Sequence, residues 1–380
     1  MSWVDLTMAE ICSDFKYGKM PPKDMSAETG YPVYSGYRIS GYAKEYLYEQ
    51  PQLILVARGV GGTGDVKISP PHAWITNLSI VLSLDETKMN KRFLYYKLGN
   101  EPLKERLNTG AAQAQITVEN LKPYRVSIPD LPTQERIAAI LSTYDDLIEN
   151  NRRRIALLEQ AARLLYREWF VHFRFPGHET AKFIDGLPEG WEETAVFNVV
   201  DVLSGGTPKT KKADYWNGDI PFFTPKDTGD NLFTFETEKM ITEEGLKSCN
   251  SRLYEKYTLF ITARGTVGKL RLAQRPMAMN QSCYALKSKT ELSQQFLYFA
   301  ISDRVNHFKG RAAGAVFDAI VVDTFKKIQM IIPTVEFAER FGAIADDTLS
   351  QIDNLSGQNR QLTRARDLLL PRLMDGRIPV

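Results

Sequence analysis

The strongest constraint on this 380-residue chain is that its sequence repeats itself about 203 residues further on. Leu53-Ile54-Leu55-Val56-Ala57-Arg58-Gly59 returns as Leu259-Phe260-Ile261-Thr262-Ala263-Arg264-Gly265. Phe93-Leu94-Tyr95-Tyr96 returns as Phe296-Leu297-Tyr298-Phe299, and Glu135-Arg136-Ile137-Ala138-Ala139-Ile140 as Glu339-Arg340-Phe341-Gly342-Ala343-Ile344. A period this long is not a solenoid repeat, which runs roughly 20 to 50 residues. It marks a duplicated domain followed by a duplicated helix. Two similar modules on one chain suit a ligand with two similar halves, and a two-part stretch of duplex DNA is one such ligand.

The length allows two or three domains, each large enough for its own core. A net charge of +2 is nearly neutral, so a nucleic-acid surface must be a local patch. Lys209, Lys211 and Lys212 form one cluster, and Lys247, Arg252, Lys256, Arg264, Lys269 and Arg271 thicken the same half. The plain alternative is a solvated face. Cys12, Cys249 and Cys283 are far apart and odd in number, which argues against a disulfide framework or a zinc site. The N-terminus lacks a basic region followed by an apolar run, and no stretch of 18 apolar residues occurs. The expectation is a protein of the reducing cytoplasm with no membrane partner.

Short apolar runs at 52–57, 75–84 and 124–128 read as strands, and 90–106 as a helix. The second copy has strands near 258–262 and 327–332 and a helix near 293–308. Between the modules the pattern changes. Pro132-Thr133 opens a helix whose apolar residues step by fours and threes: Ile137, Leu141, Tyr144, Ile148, Asn151, Ile155, Leu158, Ala162, Leu165, Trp169. That is a coiled-coil seam. From 133 to 170 it would run about 57 Å. The second copy follows Pro333-Thr334 and reads Phe341, Ala345, Thr348, Ile352, Leu355, Asn359, Leu362, Arg366, Leu369, with Pro371 as its expected stop. The predicted domains are therefore 1–131, a first module; 132–175, a long helix; 176–332, a second module; 333–371, a second long helix; and 372–380, a tail. The fold class is α+β, two mixed α/β modules separated by two long helices that form an antiparallel coiled coil with an internal pseudo-twofold repeat. Both seams are narrow and need cover, which favours pairing them with each other. The rival arrangement packs each helix on its own module or on a partner.

Pairing the seams predicts a register. Antiparallel coiled coils set a against d, and one register puts Asn151 opposite Asn359. It also sets Ile148 against Leu362, Ile155 against Leu355, Trp169 against Phe341, and Tyr144 against Arg366, where a guanidinium could lie on the ring. Asparagine opposite leucine would leave polar atoms unsatisfied at about 1–3 kcal/mol, so the asparagine layer penalises slipped registers. Gly357 is the weak point of the second helix.

Two motifs mislead. Gly59-Val60-Gly61-Gly62-Thr63-Gly64 fits a dinucleotide fingerprint. No helix opens at its last glycine, however: 65–68 reads as extended, so a tight turn between strands is the better reading. Ser69-Pro70-Pro71-His72 is similar to an amino-methyltransferase motif but has His72 in place of the stacking aromatic, and reads as a loop. There is no P-loop, and His72, His172, His178 and His307 are not at metal spacing.

Ser204-Gly205-Gly206-Thr207-Pro208-Lys209, followed by Tyr215-Trp216-Asn217-Gly218-Asp219-Ile220-Pro221-Phe222-Phe223-Thr224-Pro225-Lys226-Asp227, resembles the opening of a target-recognition domain of a type I restriction-modification specificity (S) subunit. Leu165 to Gly177, Leu187-Pro188-Glu189-Gly190-Trp191 and Leu368 to Val380 are similar to the end of that family's central helix, the entry to its second recognition domain and its C-terminus. The first module departs from the pattern, with Tyr17-Gly18-Lys19 where the second has the longer motif. The resemblance implies a DNA-reading subunit without catalysis, metal or cofactor of its own. Each recognition domain would read one half of a bipartite double-stranded site, and the helices would set the spacer and dock two modification subunits. Those subunits would methylate adenine with S-adenosylmethionine, and restriction subunits would add translocation and cleavage with ATP and Mg²⁺. The alternatives are a bilobal protein-interaction scaffold and a stand-alone DNA methyltransferase.

Candidate DNA contacts follow from side-chain chemistry. Arg58 and Arg264 precede glycine turns, where an arginine forks onto guanine or braces the turn. Gln113 and Gln115 suit adenine, and the matched loop carries Arg311 instead. Lys209, Lys211, Lys212 and Lys226 suit phosphates, which position without reading.

Overall fold

In a computed structural model, residues 3–36, 38–59, 62–109, 114–229, 232–311 and 319–380 are described, the side chains of 306–311 excepted. The chain divides into two compact units, Met1–Asn150 with Asn359–Val380, and Asn151–Gln358. This differs from the predicted boundaries, which cut at the helix ends. The division runs through both long helices because each half-helix buries its apolar face in a module core. Ile137, Ala138 and Leu141 share a core with Phe93, Leu94, Leu373 and Met374 in unit 1. Tyr166, Trp169 and Phe170 share one with Phe296, Phe341 and Ala345 in unit 2.

Unit 1 is built on a four-stranded antiparallel sheet, in the order Cys12–Tyr17, Ser79–Leu84, Leu53–Val56, Val66–Ile68. Leu53–Val56 is buried at every residue, as a strand covered on both faces must be. A smaller sheet joins Ser26–Ala27, Arg38–Ala43, Tyr31–Ser35 and Trp74–Ile75. The single strand predicted over 75–84 is thus two strands in different sheets, joined by a turn through Thr76-Asn77-Leu78. The single helix predicted over 90–106 is also two. Lys91–Gly99 is N-capped by Asn90, whose side chain accepts from the Phe93 N–H at 3.0 Å, and Leu103–Leu107 restarts after Pro102.

Unit 2 repeats the plan. Its sheet runs Val200–Ser204, Cys283–Ser288, Leu259–Thr262, Leu270–Ala273, with Phe233–Thr234 added parallel at the edge. The smaller sheet joins Lys239–Ile241, Trp216–Phe223 and Ala278–Met279. Matched backbone hydrogen bonds carry the duplication. Ala57 N–H donates to Leu78 O at 2.8 Å, as Ala263 does to Ser282 O at 2.8 Å. Ile116 donates to Ala57 O at 2.8 Å, as Ile320 does to Ala263 O at 2.9 Å. Gly62-Thr63-Gly64 form a turn that leads into strand Val66–Ile68, not into a helix.

The long helices, Leu131–Phe170 and Val335–Met374, have 40 residues each. The second does not stop at Pro371. Proline removes one N–H and clashes with the preceding turn. Burial of Leu373 and Met374 in the unit 1 core nevertheless holds the last turn helical, and the chain leaves at Gly376 with φ 74°. Every residue of the first seam is buried or half-buried. Within each unit the two half-helices run antiparallel. In unit 1 contacts climb one helix as they descend the other: Ile148 with Asn359 and Asp145 with Arg366. In unit 2, Phe341 meets Tyr166 and Trp169, with Phe337 beyond them on Phe175.

Candidate functional site

In each unit a candidate arginine follows the central buried strand of the main sheet. In unit 1, Arg58 leaves strand Leu53–Val56 exposed and forms an antiparallel bridge with Gln115. Its Nη2 donates to the carbonyl of Asn77 at 3.4 Å. Gln115 is half-buried, and its backbone N–H donates to Asn108 Oδ1 at 2.9 Å. Gln113 lies outside the described residues. This rim is closed by a backbone approach that only glycine permits. A Cβ on Gly18 would sit 2.3 Å from the carbonyl oxygens of Ile75 and Thr76.

Unit 2 builds the same rim from longer loops. Arg264 is exposed at the equivalent place. The turn that follows it rests on the turn carrying Lys226, through Thr266 Oγ1 donating to Pro225 O at 3.4 Å. Lys226 itself pairs with Glu238 at 3.5 Å in an exposed ion pair, which is weak in solvent. Lys209, Lys211 and Lys212 are all exposed. The carbonyl of Lys209 accepts from the Trp216 indole N–H at 3.3 Å, which ties this lysine loop to the smaller sheet. Lys212 Nζ donates to Tyr215 Oη at 3.0 Å and lies 4.3 Å from that ring's centroid; the hydroxyl raises the ammonium above its ordinary value. Arg311 is the last residue of helix Gln294–Arg311, and its side chain lies outside the described ones.

Gly205 and Gly206 explain the Ser-Gly-Gly-Thr stretch. A Cβ on Gly205 would fall 2.2 Å from Asn280 O, so the loop lies flat on the neighbouring turn. That contact brings the Thr207 hydroxyl onto Gln281 Oε1. A recess of about 430 Å³ opens there between Gly205–Thr207, Ser248–Asn250 and Gln281. Sequence reasoning missed Gln281 and its counterpart Asn77. The available signal was an amide residue at the same place in both copies, one residue into the turn before the returning strand.

The helix-register residues are placed as follows. Trp169 and Phe341 have ring centroids 6.2 Å apart in unit 2. In unit 1 the Asn359 amide donates to Ile148 O at 3.3 Å, Arg366 is held by Asp145 and Asp367, and Tyr144 is half-buried. Asn151, in unit 2, is buried. Among the described residues no group of His, Cys, Asp and Glu is arranged to hold a metal, and no helix is long and apolar enough to cross a membrane. Burial pushes the Cys12 and Cys283 thiols up to about 12, so neither supplies a thiolate near neutrality.

Comparison with known proteins places this architecture. The family model for the type I restriction modification DNA specificity domain matches residues 2–160 and again 188–364. The type I restriction enzyme HindI specificity subunit of Haemophilus influenzae is 26% identical over 330 residues, covering 70% of this chain and 71% of that one. The MjaIX specificity subunit of Methanocaldococcus jannaschii is 26% identical over 200 residues, covering 52% of this chain and 46% of its own length. The crystal structure of a type I restriction-modification S subunit from M. genitalium shares the fold with a TM-score of 0.66 at 19% identity, covering 98% of this chain and 96% of that one.

Proposed function

Because the chain belongs to the family of type I restriction modification DNA specificity domains and carries that domain twice, we propose that each of its units reads one half of a bipartite DNA site. The chain is a DNA specificity subunit, one part of a restriction-modification enzyme complex. The observation that supports one half-site per unit is the pair of matched rims, each with an exposed arginine on the same backbone hydrogen bonds and each with its own loop chemistry. A shared scaffold under divergent loops is what two different half-sites require. The long helices set the spacer and dock two modification subunits. Catalysis belongs to the partners: S-adenosylmethionine is used by the modification subunits, ATP and Mg²⁺ by the restriction subunits. The specificity chain alone neither methylates nor cuts.

The test is module exchange in the assembled modification complex, read by mapping methylated adenines. Replacing residues 1–131 with another member's first module should change one half of the target and leave the other. A change in both halves, or methylation by the purified chain alone, would overturn the proposal.

A further inference from the structure

We infer that Asn77 and Gln281 are base-reading residues, each reading an adenine of its own half-site, and that Thr207 is a positioning residue for Gln281. The inference rests on the one-unit, one-half-site reading above. The two residues occupy the same place in two copies of one device. Ser79 N–H donates to Thr76 O at 3.2 Å, and Cys283 N–H donates to Asn280 O at 3.3 Å, so each turn is closed by the same bond three residues apart. Asn77 and Gln281 stand at the second position of those turns, at the tip. The residue before each is spent on the scaffold: Thr76 Oγ1 meets Ser35 Oγ at 3.3 Å, and Asn280 Oδ1 accepts from Ser282 N–H at 3.0 Å. The tip amide is then the group left to face outward, half-buried for Asn77 and exposed for Gln281.

The chemistry at the tip is the same in both units and its reach is not. Asparagine and glutamine present one acceptor and one donor pair, the complement of adenine N6 and N7 in the major groove, and they differ by one methylene. Beside each tip stands an arginine suited to guanine, Arg58 with its Nη2 on the Asn77 main-chain carbonyl, and Arg264 one residue beyond the Ala263 bond to Ser282. An amide next to a guanidinium is a two-base reader. Gln281 has a further support. The diglycine pressed on the turn brings the Thr207 hydroxyl onto Gln281 Oε1, which limits the rotamers of a long side chain before DNA arrives.

The experiment uses the full chain assembled with its modification subunits and maps methylated adenines against a library of two-part sites. Gln281→Ala should lower discrimination at one base pair of one half-site by about 5- to 150-fold and leave the other half as sharp as before. Asn77→Ala should do the same in the opposite half. Thr207→Val should blur the same base pair as Gln281→Ala, and Gln281→Glu should move its preference towards cytosine, whose amino group donates to a carboxylate. For a variant complex that no longer methylates, selection of bound duplexes from the same library supplies the same readout. Variants that keep every base pair as sharp as the parent overturn the inference while the half-site reading stands. A parent complex without a two-part target overturns both.

Discussion

The two units share a fold but fasten their recognition modules to the long helices by different chemistry. At the joint around Phe341 unit 2 does it with rings, although Lys256 of its module also pairs with Asp353 of the second long helix at 2.7 Å. Phe341 is fully buried and lies 5.3 Å from Phe170, 5.7 Å from Tyr166 and 5.7 Å from Phe299, at near-perpendicular angles in each case. Unit 1 has Ile137 where unit 2 has Phe341, and Tyr96 where it has Phe299. The hydroxyl of Tyr96 changes the problem, because a buried O–H needs a partner. It donates to Asp145 Oδ2 at 2.6 Å, and Asp145 is neutralised by Arg366, which also holds Asp367. Burial first, then the Asp145 carboxylate, pushes the Tyr96 hydroxyl far above its ordinary range, so it remains a donor. Burial works against the charge on Arg366, and its two carboxylate partners more than offset that. One fold thus has two solutions at one joint: an apolar one insensitive to salt, and a polar one that depends on every member being present.

The largest effect should come from the apolar joint. Phe341→Ala removes a buried ring contacted on several sides and should cost about 3–5 kcal/mol. Hydrogen exchange across the full chain should show protection lost in residues 151–358 and retained in unit 1. Uniform loss over both units would mean that the two joints do not report on separate units.

Much of the shared fold is legible in the sequence, and the reasons are physical. A seam repeated every three and four residues has one structural reading, so the helices were found to within a few residues. The paired copies also mark strands Leu53–Val56 and Leu259–Thr262. What was not legible depended on contacts between distant residues. Pro371 reads locally as a stop, yet Leu373 and Met374 are anchored beyond it. The two compact units divide in the middles of the long helices, because each half-helix is buried in a module core that no local pattern reveals. Gly18 and Gly205 look like ordinary loop glycines until the carbonyls beside them are known. Asn77 and Gln281 went unnoticed because a turn tip has no periodicity to mark it.

The polar joint should respond less strongly and to a different variable. Asp145→Ala leaves the Tyr96 hydroxyl without its acceptor and Arg366 with Asp367 alone. The expected cost is about 1–3 kcal/mol, confined to unit 1. Raising the salt concentration should narrow the gap between Asp145→Ala and the parent, since the lost pair is partly exposed, and should leave the Phe341→Ala gap unchanged. Unfolding curves at two ionic strengths check this. Equal salt dependence for both variants would abolish the distinction between the joints.

The smallest effect concerns a charge buried within the apolar joint. Glu159, on the first long helix, lies in unit 2 with its side chain 17% exposed and 3.7 Å from Arg163, which in turn donates to Tyr298 Oη at 3.2 Å. Burial raises the Glu159 carboxyl above its ordinary value of 4.5, and the nearby Arg163 only partly opposes this. The folded state therefore holds the proton more tightly than the unfolded state does. Below the unfolded value the group is protonated in both states and costs nothing. As pH rises through the folded value the charge must be carried inside the fold, and stability falls. Glu159→Gln removes that charge and keeps the shape. It should raise the melting temperature at pH 8, with the difference from the parent vanishing as pH falls below the ordinary carboxylate range. If Glu159→Gln is destabilised at pH 8, the pair with Arg163 outweighs burial, and the unit 2 joint is partly ionic as well.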